Sequence, residues 1–162
     1  MRILVVDDDP KRHATYVRVL SPTLPGESRV LTHVYTFADA REVLEEVNFD
    51  RIYLDFDLND HGATSQATEI YGNRNLNGLD VAYEIIATQG PDTEIVIHSH
   101  NGDGCLMMFD ELAKAGFERL GFELYHPDVT HDPEWEDPVQ VRQSIEEARN
   151  NPDPFDFSVQ KA

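Results

Sequence analysis

The sequence predicts an α/β fold in which helices cover both faces of a five-stranded parallel sheet. Two features carry that expectation: short β-branched apolar runs alternate with stretches of helical period, and each run stops at a cluster of Asp, Asn or Gly. A third is size, since 162 residues, 40% of them hydrophobic, can bury one core and little more.

The elements follow in order. "RILVV" at 2–6 reads as a buried strand ended by "DDDP", and Pro10 opens a helix over 10–20 with Tyr16, Val17 and Leu20 on its inner face. After the loop "SPTLPGES", "RVLTHVY" alternates as a strand, and Thr36 is the expected N-cap of a helix over 36–47 with Asp39 in its first turn. "RIYLDF" is the third strand, "NGLDVAYEIIATQ" the third helix, "TEIVIHS" the fourth strand and "GDGCLMMFDELAKAG" the fourth helix, stopped by Gly116. "FERLGFELY" completes the sheet, and "VQVRQSIEEAR" reads as a last helix with Asp137 as N-cap and Pro138 at its first position.

Two segments break this economy. An insert at about 58–77 far exceeds the usual 2–6 residues of a strand-to-helix connection and has the character of a lid. The sequence is therefore divided into an α/β domain over 1–125 and an acidic, proline-rich extension over 126–162 that holds one helix and a mobile end.

Charge narrows the function. The formal net charge is −18, with 31 acidic residues against 13 Lys and Arg, and only Lys11, Lys114 and Lys161 are lysines. Such a field repels a polyanion over a Debye length of about 8 Å at physiological salt, so general nucleic-acid binding is disfavoured. A small anionic ligand remains compatible if a cation or a nest of N–H groups receives it. No secretory pattern or membrane-length apolar run is present, which makes a cytoplasmic protein the expectation. The single cysteine, Cys105, excludes an intrachain disulfide and is expected in the core, as is the "CLMMF" stripe around it.

In an open parallel sheet the ligand crevice lies beyond the carboxyl ends of the strands. There the sequence places Asp7, Asp8 and Asp9, then Asp55 and Asp57, then His98, Ser99, His100 and Asn101 of "VIHSHNGDG". Clustered carboxylates either share protons or hold a hard divalent cation, Mg²⁺ or Mn²⁺, and Asp7, Asp8 and Asp55 are the candidate ligands. Imidazole titrates near neutrality, so His98 is the candidate acid or base, with His100 ranked below it. The turn after Ser99, with Asn101, Gly102 and Gly104, is the candidate anion site at a helix N-terminus.

"ILVVDDDP", "YLDFDL", "NGLDVAYEI" and "LAKAGF" resemble the receiver domain of two-component response regulators over about residues 1–123. The resemblance implies a flavodoxin-like fold with strand order 2-1-3-4-5, Asp7 and Asp8 as the acidic pair, Asp55 as phosphoacceptor and Ser99 as the strand-four hydroxyl. A receiver also carries a lysine at the end of strand five, whereas Glu123 sits near that position here. "LDFDL" followed by "IHSHN" is more similar to the cyclic-phosphate-processing receivers, in which D-x-D-L and H-S-x-N strand ends replace the lysine. That resemblance implies a ligand that is a cyclic nucleotide or a 2′,3′-cyclic-phosphate end. It also implies catalytic roles for His98, Ser99, Asn101 and Asp55, and adds Asp57 to Asp7, Asp8 and Asp55 as a metal-binding carboxylate.

The competing reading is a non-catalytic signalling domain, phosphorylated on Asp55 or acting through its surface, with the acidic extension and its Trp135 as a partner site. His13, His33, His126 and His131 are expected on the surface or a helix face, and His61 in a solvated loop.

Overall fold

The computed structural model describes residues 1–21, 25–58, 76–123 and 137–151. Strands β1 (Arg2–Val6), β2 (Val30–Val34), β3 (Arg51–Leu54), β4 (Glu94–Ile97) and β5 (Leu120–Phe122) alternate with helices α1 (Pro10–Leu20), α2 (Phe37–Glu46), α3 (Gly78–Thr88) and α4 (Gly102–Lys114), and α5 (Pro138–Asn150) follows. All strand pairs are parallel and the order is β2-β1-β3-β4-β5, as the sequence predicts. Strand order reverses between β1 and β3, so the ends of those two strands flank the expected crevice.

Local chemistry sets the helix ends. Asp9, Thr36 and Asp137 cap α1, α2 and α5, and Pro10 and Pro138 open two of them. Asn77 caps α3 in a reciprocal box with Asp80, and Gly116 turns the chain after α4 with φ of 97°.

Period-two alternation divides the core into two layers. Leu4, Val6, Ile52, Leu54, Ile95, Ile97 and Leu120 face α2, α3, α4 and α5, while Ile3, Val5, Tyr53 and Val96 face Tyr16 and Leu20 of α1. Val17 is 48% exposed rather than inward, because His13, Tyr16 and Leu20 already form the buried stripe of α1. Cys105, Leu106, Met108 and Phe109 are core residues as expected, with Met107 turned out.

Helix α5 packs against α4 and β5, buries Val141 and Ile145 in the larger layer and pairs Arg142 with Asp110 and Arg149 with Asp103. The apolar contact outweighs those exposed pairs, which are worth about 0–1 kcal/mol each. Ile145→Ala should therefore lower unfolding free energy by about 2–5 kcal/mol in urea titration, whereas Arg142→Ala should change it by less than about 1 kcal/mol.

Candidate functional site

The site grows directly out of strand register. Asp7, Asp55, His98 and Glu123 each follow the last residue of a strand and extend the ladder, donating their N–H groups to Val34, Val6, Leu54 and Ile97 at 2.9–3.2 Å. They thus stand in one row across the sheet. By alternation their side chains fall on the face of Ile3, Val5, Tyr53 and Val96, beneath the first turns of α1.

Three carboxylates meet there. Asp7, Asp8 and Asp55 each offer an oxygen within 4.8 Å of the others, and Asp7 and Asp55 are buried. Arg12, from the first turn of α1, lies among them. Its Nε donates to Asp7 Oδ2 at 2.6 Å, and Nη2 alone reaches Asp7 Oδ1 at 2.7 Å, Asp55 Oδ2 at 3.0 Å and Asp8 Oδ1 at 3.3 Å. Burial works against the guanidinium charge, yet the hydrogen bond to Asp7 and the charges of Asp7, Asp55 and Asp9 outweigh it and raise the Arg12 pKa.

One guanidinium does not neutralise this site. Asp55 is pushed from 3.8 up to about 7, first by burial and then by the charge of Asp7, against the opposing effects of Arg12 and the Ser99 hydroxyl. The cluster holds more carboxylate than it can keep ionised, and that surplus fits a hard divalent cation. Asp57 is not one of the three; it is exposed at the rim, where its Oδ1 lies 3.5 Å from Asn101 Nδ2.

A hollow of about 460 Å³ opens over the cluster, lined by Asp8, Asp9, Pro10, Arg12, Asp55, Asp57, His98, Ser99 and His100. Because β4 ends at Ile97, the backbone leaves extended geometry and brings His98, Ser99 and His100 to the same hollow despite strand alternation. His100 is exposed on the wall, while His98 gives only a buried edge at 1% exposure.

The His98 ring packs edge-on to Tyr16, with Nδ1 3.6 Å from Asp7 Oδ2 and no hydrogen-bond partner for the buried Nε2 among the described residues. Burial lowers its pKa to about 4 in spite of Asp7, so the imidazole is neutral at neutral pH. The facing carboxylate favours a proton on Nδ1, which leaves Nε2 as a lone-pair acceptor.

The turn after Ser99 is built by its own bonds. Ser99 Oγ accepts from Asn101 N at 3.1 Å, and Asn101 Oδ1 caps α4 by accepting from Gly104 N at 2.9 Å. The Gly104 N–H is thus already engaged by the cap. Its lack of a side chain serves packing, since a Cβ there would lie 2.3 Å from the Phe56 ring, and one at Gly78 would lie 2.1 Å from Asp55 O. Likewise a Cβ at Gly102 would meet Arg149 of α5 at 2.5 Å. These close approaches clamp Phe56, and with it the flanking Asp55 and Asp57. Of the residues expected to bind phosphate, Ser99 lines the hollow, and Asn101, Gly102 and Gly104 form the turn beneath it.

Sequence reading missed Arg12. Spacing held a signal for Arg12, four residues after Asp8 on a helix that begins at Pro10. His13 lies on the buried face of α1: its Nε2–H donates to Asp7 O at 2.6 Å and its Nδ1 lies 2.6 Å from His33 Nδ1. Burial, then the His13 charge, lowers the pKa of His33. This pair braces the Asp7 backbone from behind. His61, His126, His131 and Trp135, with residues 59–75 and 124–136, lie outside the described residues.

The profile of the cyclic-phosphate processing receiver domain matches residues 2–114. Among solved structures, a response regulator from Burkholderia pseudomallei, described with a phosphorylated aspartic acid, calcium ion and citrate, is similar at 14% identity and TM-score 0.54, covering 93% of this chain and 71% of that one. A CheY-like receiver domain from Methanospirillum hungatei JF-1 is similar at 13% identity and TM-score 0.53, covering 93% and 97%. The signal receiver domain of a Luxo repressor protein from Vibrio parahaemolyticus follows at 19% identity and TM-score 0.51, covering 97% and 95%. These structures share the fold. No curated protein matches the chain.

The Asp55 shift sets a pH dependence. Its folded pKa of about 7 exceeds the ordinary 3.8, so between those values the folded state binds more protons than the unfolded one and stability falls as pH rises. From about pH 5 to about pH 8 the wild-type protein should lose on the order of 2–3 kcal/mol relative to Asp55→Asn. Urea titrations of both proteins across that range would measure the difference.

Proposed function

The chain belongs to the cyclic-phosphate processing receiver domain family, and from that premise we propose that its hollow binds and opens a cyclic phosphodiester, carried by a cyclic nucleotide or a 2′,3′-cyclic-phosphate end. The observation that carries this reading is the buried, neutral His98, which lines the hollow with Ser99, Asp8 and Asp55 and whose Nε2 has no hydrogen-bond partner among the described residues. A buried acceptor without a partner costs about 1–3 kcal/mol, and proton transfer from a ligand or its attacking water gives that cost a function.

Each residue then has a task. Asp7, Asp8 and Asp55 would hold Mg²⁺ or Mn²⁺, which supplies positive charge against the phosphate. Asp7 orients His98 through Nδ1, and His98 Nε2 takes a proton from the attacking oxygen. The Ser99 hydroxyl orients the phosphate, and Asn101 with Gly102 and Gly104 fixes the turn that carries it. Asp57 holds that turn at the rim through Asn101. His100, exposed on the wall of the hollow, would protonate the leaving oxygen. The receiver unit is read as 1–125, with 126–162 as an extension whose helix docks back on it and whose acidic segment suits a protein partner.

The second reading is a receiver phosphorylated on Asp55. Its support is the position of Asp55 at the end of β3 on a receiver fold. Two features weigh against it. Glu123 stands at the end of β5, where a cation would be needed, and an Asp55 that is about half protonated at neutral pH is a weakened nucleophile.

With Mg²⁺ or Mn²⁺, the full chain should bind or cleave a panel of cyclic nucleotides and 2′,3′-cyclic-phosphate oligonucleotides, monitored by calorimetry and chromatography. His98→Gln should lower turnover by about 10²–10⁴-fold with substrate binding retained. No binding and no cleavage by wild type, together with a phosphoaspartate in intact-mass spectra after an acyl-phosphate donor, would reverse the choice between the readings.

A further inference from the structure

The arrangement around Arg12 carries a consequence for how the hollow is loaded. One nitrogen, Nη2, lies within 3.3 Å of an oxygen from each of Asp7, Asp8 and Asp55. Those three residues are the ones whose oxygens approach one another closely enough for an ion. A divalent cation draws such oxygens to about 2.0–2.6 Å and tolerates no second positive group at the same focus. The guanidinium and the ion therefore compete for the same ligands.

We propose that Arg12 is an internal countercation that a divalent ion must displace, and that the displaced guanidinium becomes the contact for the anionic ligand. This rests on the cyclic-phosphate reading and adds the order of loading to it. Arg12 already lines the hollow beside Ser99 and His100, and its side chain is 21% exposed, so it has solvent-filled space to move into. Arginine remains charged at every accessible pH, and its planar fork matches phosphate. Lysine at the end of β5 is absent, with Glu123 in its place, and Arg12 is the cationic side chain among the residues that line the hollow.

The exchange makes cation and anion mutually dependent. Without the ion, Arg12 is held by Asp7, Asp8 and Asp55, and a phosphate would have to break those bonds. With the ion, the same guanidinium is released toward the ligand. By linkage, the anion strengthens cation binding by the same factor as the cation strengthens anion binding.

The test uses the full-length chain as wild type, Arg12→Gln, Arg12→Lys and, as a charge control, Lys11→Gln on the exposed side of α1. Circular dichroism establishes that each is folded, and Arg12→Lys preserves the charge should Arg12→Gln be unstable. Mn²⁺ binding is followed by the spin-resonance signal of free ion, and inorganic phosphate binding by calorimetry in saturating Mg²⁺. The expected result is Mn²⁺ binding tighter by on the order of tenfold in Arg12→Gln and less so in Arg12→Lys, with phosphate binding weakened by on the order of tenfold in Arg12→Gln. Lys11→Gln should shift either constant by less than about twofold, because exposed charges are screened by salt.

Wild-type Mn²⁺ binding that is unchanged or weakened in folded Arg12→Gln overturns the exchange and leaves the cyclic-phosphate reading standing. An equal gain in Lys11→Gln overturns it too, since net charge alone would then account for the effect. Tighter Mn²⁺ binding with unaltered phosphate binding overturns the anion role. Absence of Mn²⁺ binding in wild type and both Arg12 variants overturns the exchange together with the cation part of that reading.

Discussion

The bond network between Arg12 and the carboxylates of Asp7, Asp8 and Asp55 is the constraint on which the rest of the site depends. Parallel register brings Asp7 and Asp55 side by side at the ends of β1 and β3, so their mutual repulsion is built into the fold. A single guanidinium offsets part of it, while burial, and after it the charge of Asp7, still raises the pKa of Asp55. Such a site would gain from any further positive charge, a demand set by strand geometry.

The surroundings keep that charge imbalance in place. His13 and His33 brace the Asp7 backbone from behind, Gly78 and Gly104 let α3 and α4 close on Phe56, and Asn101 ties the α4 cap to Asp57. Buried ion pairs contribute little net stability after desolvation, so this investment is better understood as positioning than as reinforcement. Stability comes mainly from the two apolar layers, the larger of which includes Val141 and Ile145 of α5. His98 sits where the smaller layer meets the charged row and is kept neutral by that placement.

Much of this was legible in the sequence. Alternating apolar runs, Thr36, Asp137 and Pro138 at helix starts and Gly116 at a helix stop gave the elements, and the strand-order rule placed the aspartates and His98–Asn101 at one edge. What escaped depends on side-chain direction in three dimensions. Arg12 reaches Asp7 and Asp55 only because α1 lies over β1 and β3. Helical period alone cannot decide whether His13 or Val17 joins the buried stripe of α1, because both adjoin it. Composition marked Gly102 and Gly104 as an anion loop, whereas contact with Arg149 and Phe56 explains why they are glycines.

The carboxyl carbon of Asp55, followed by nuclear magnetic resonance across a pH titration with and without Mg²⁺, tests the charge imbalance most directly. The account predicts a midpoint of about 7 in the absence of the ion and a marked downward displacement in its presence. A midpoint close to the ordinary 3.8 without any divalent ion would mean that Arg12 already balances the site. In that case the carboxylates would have no unmet demand for a second cation.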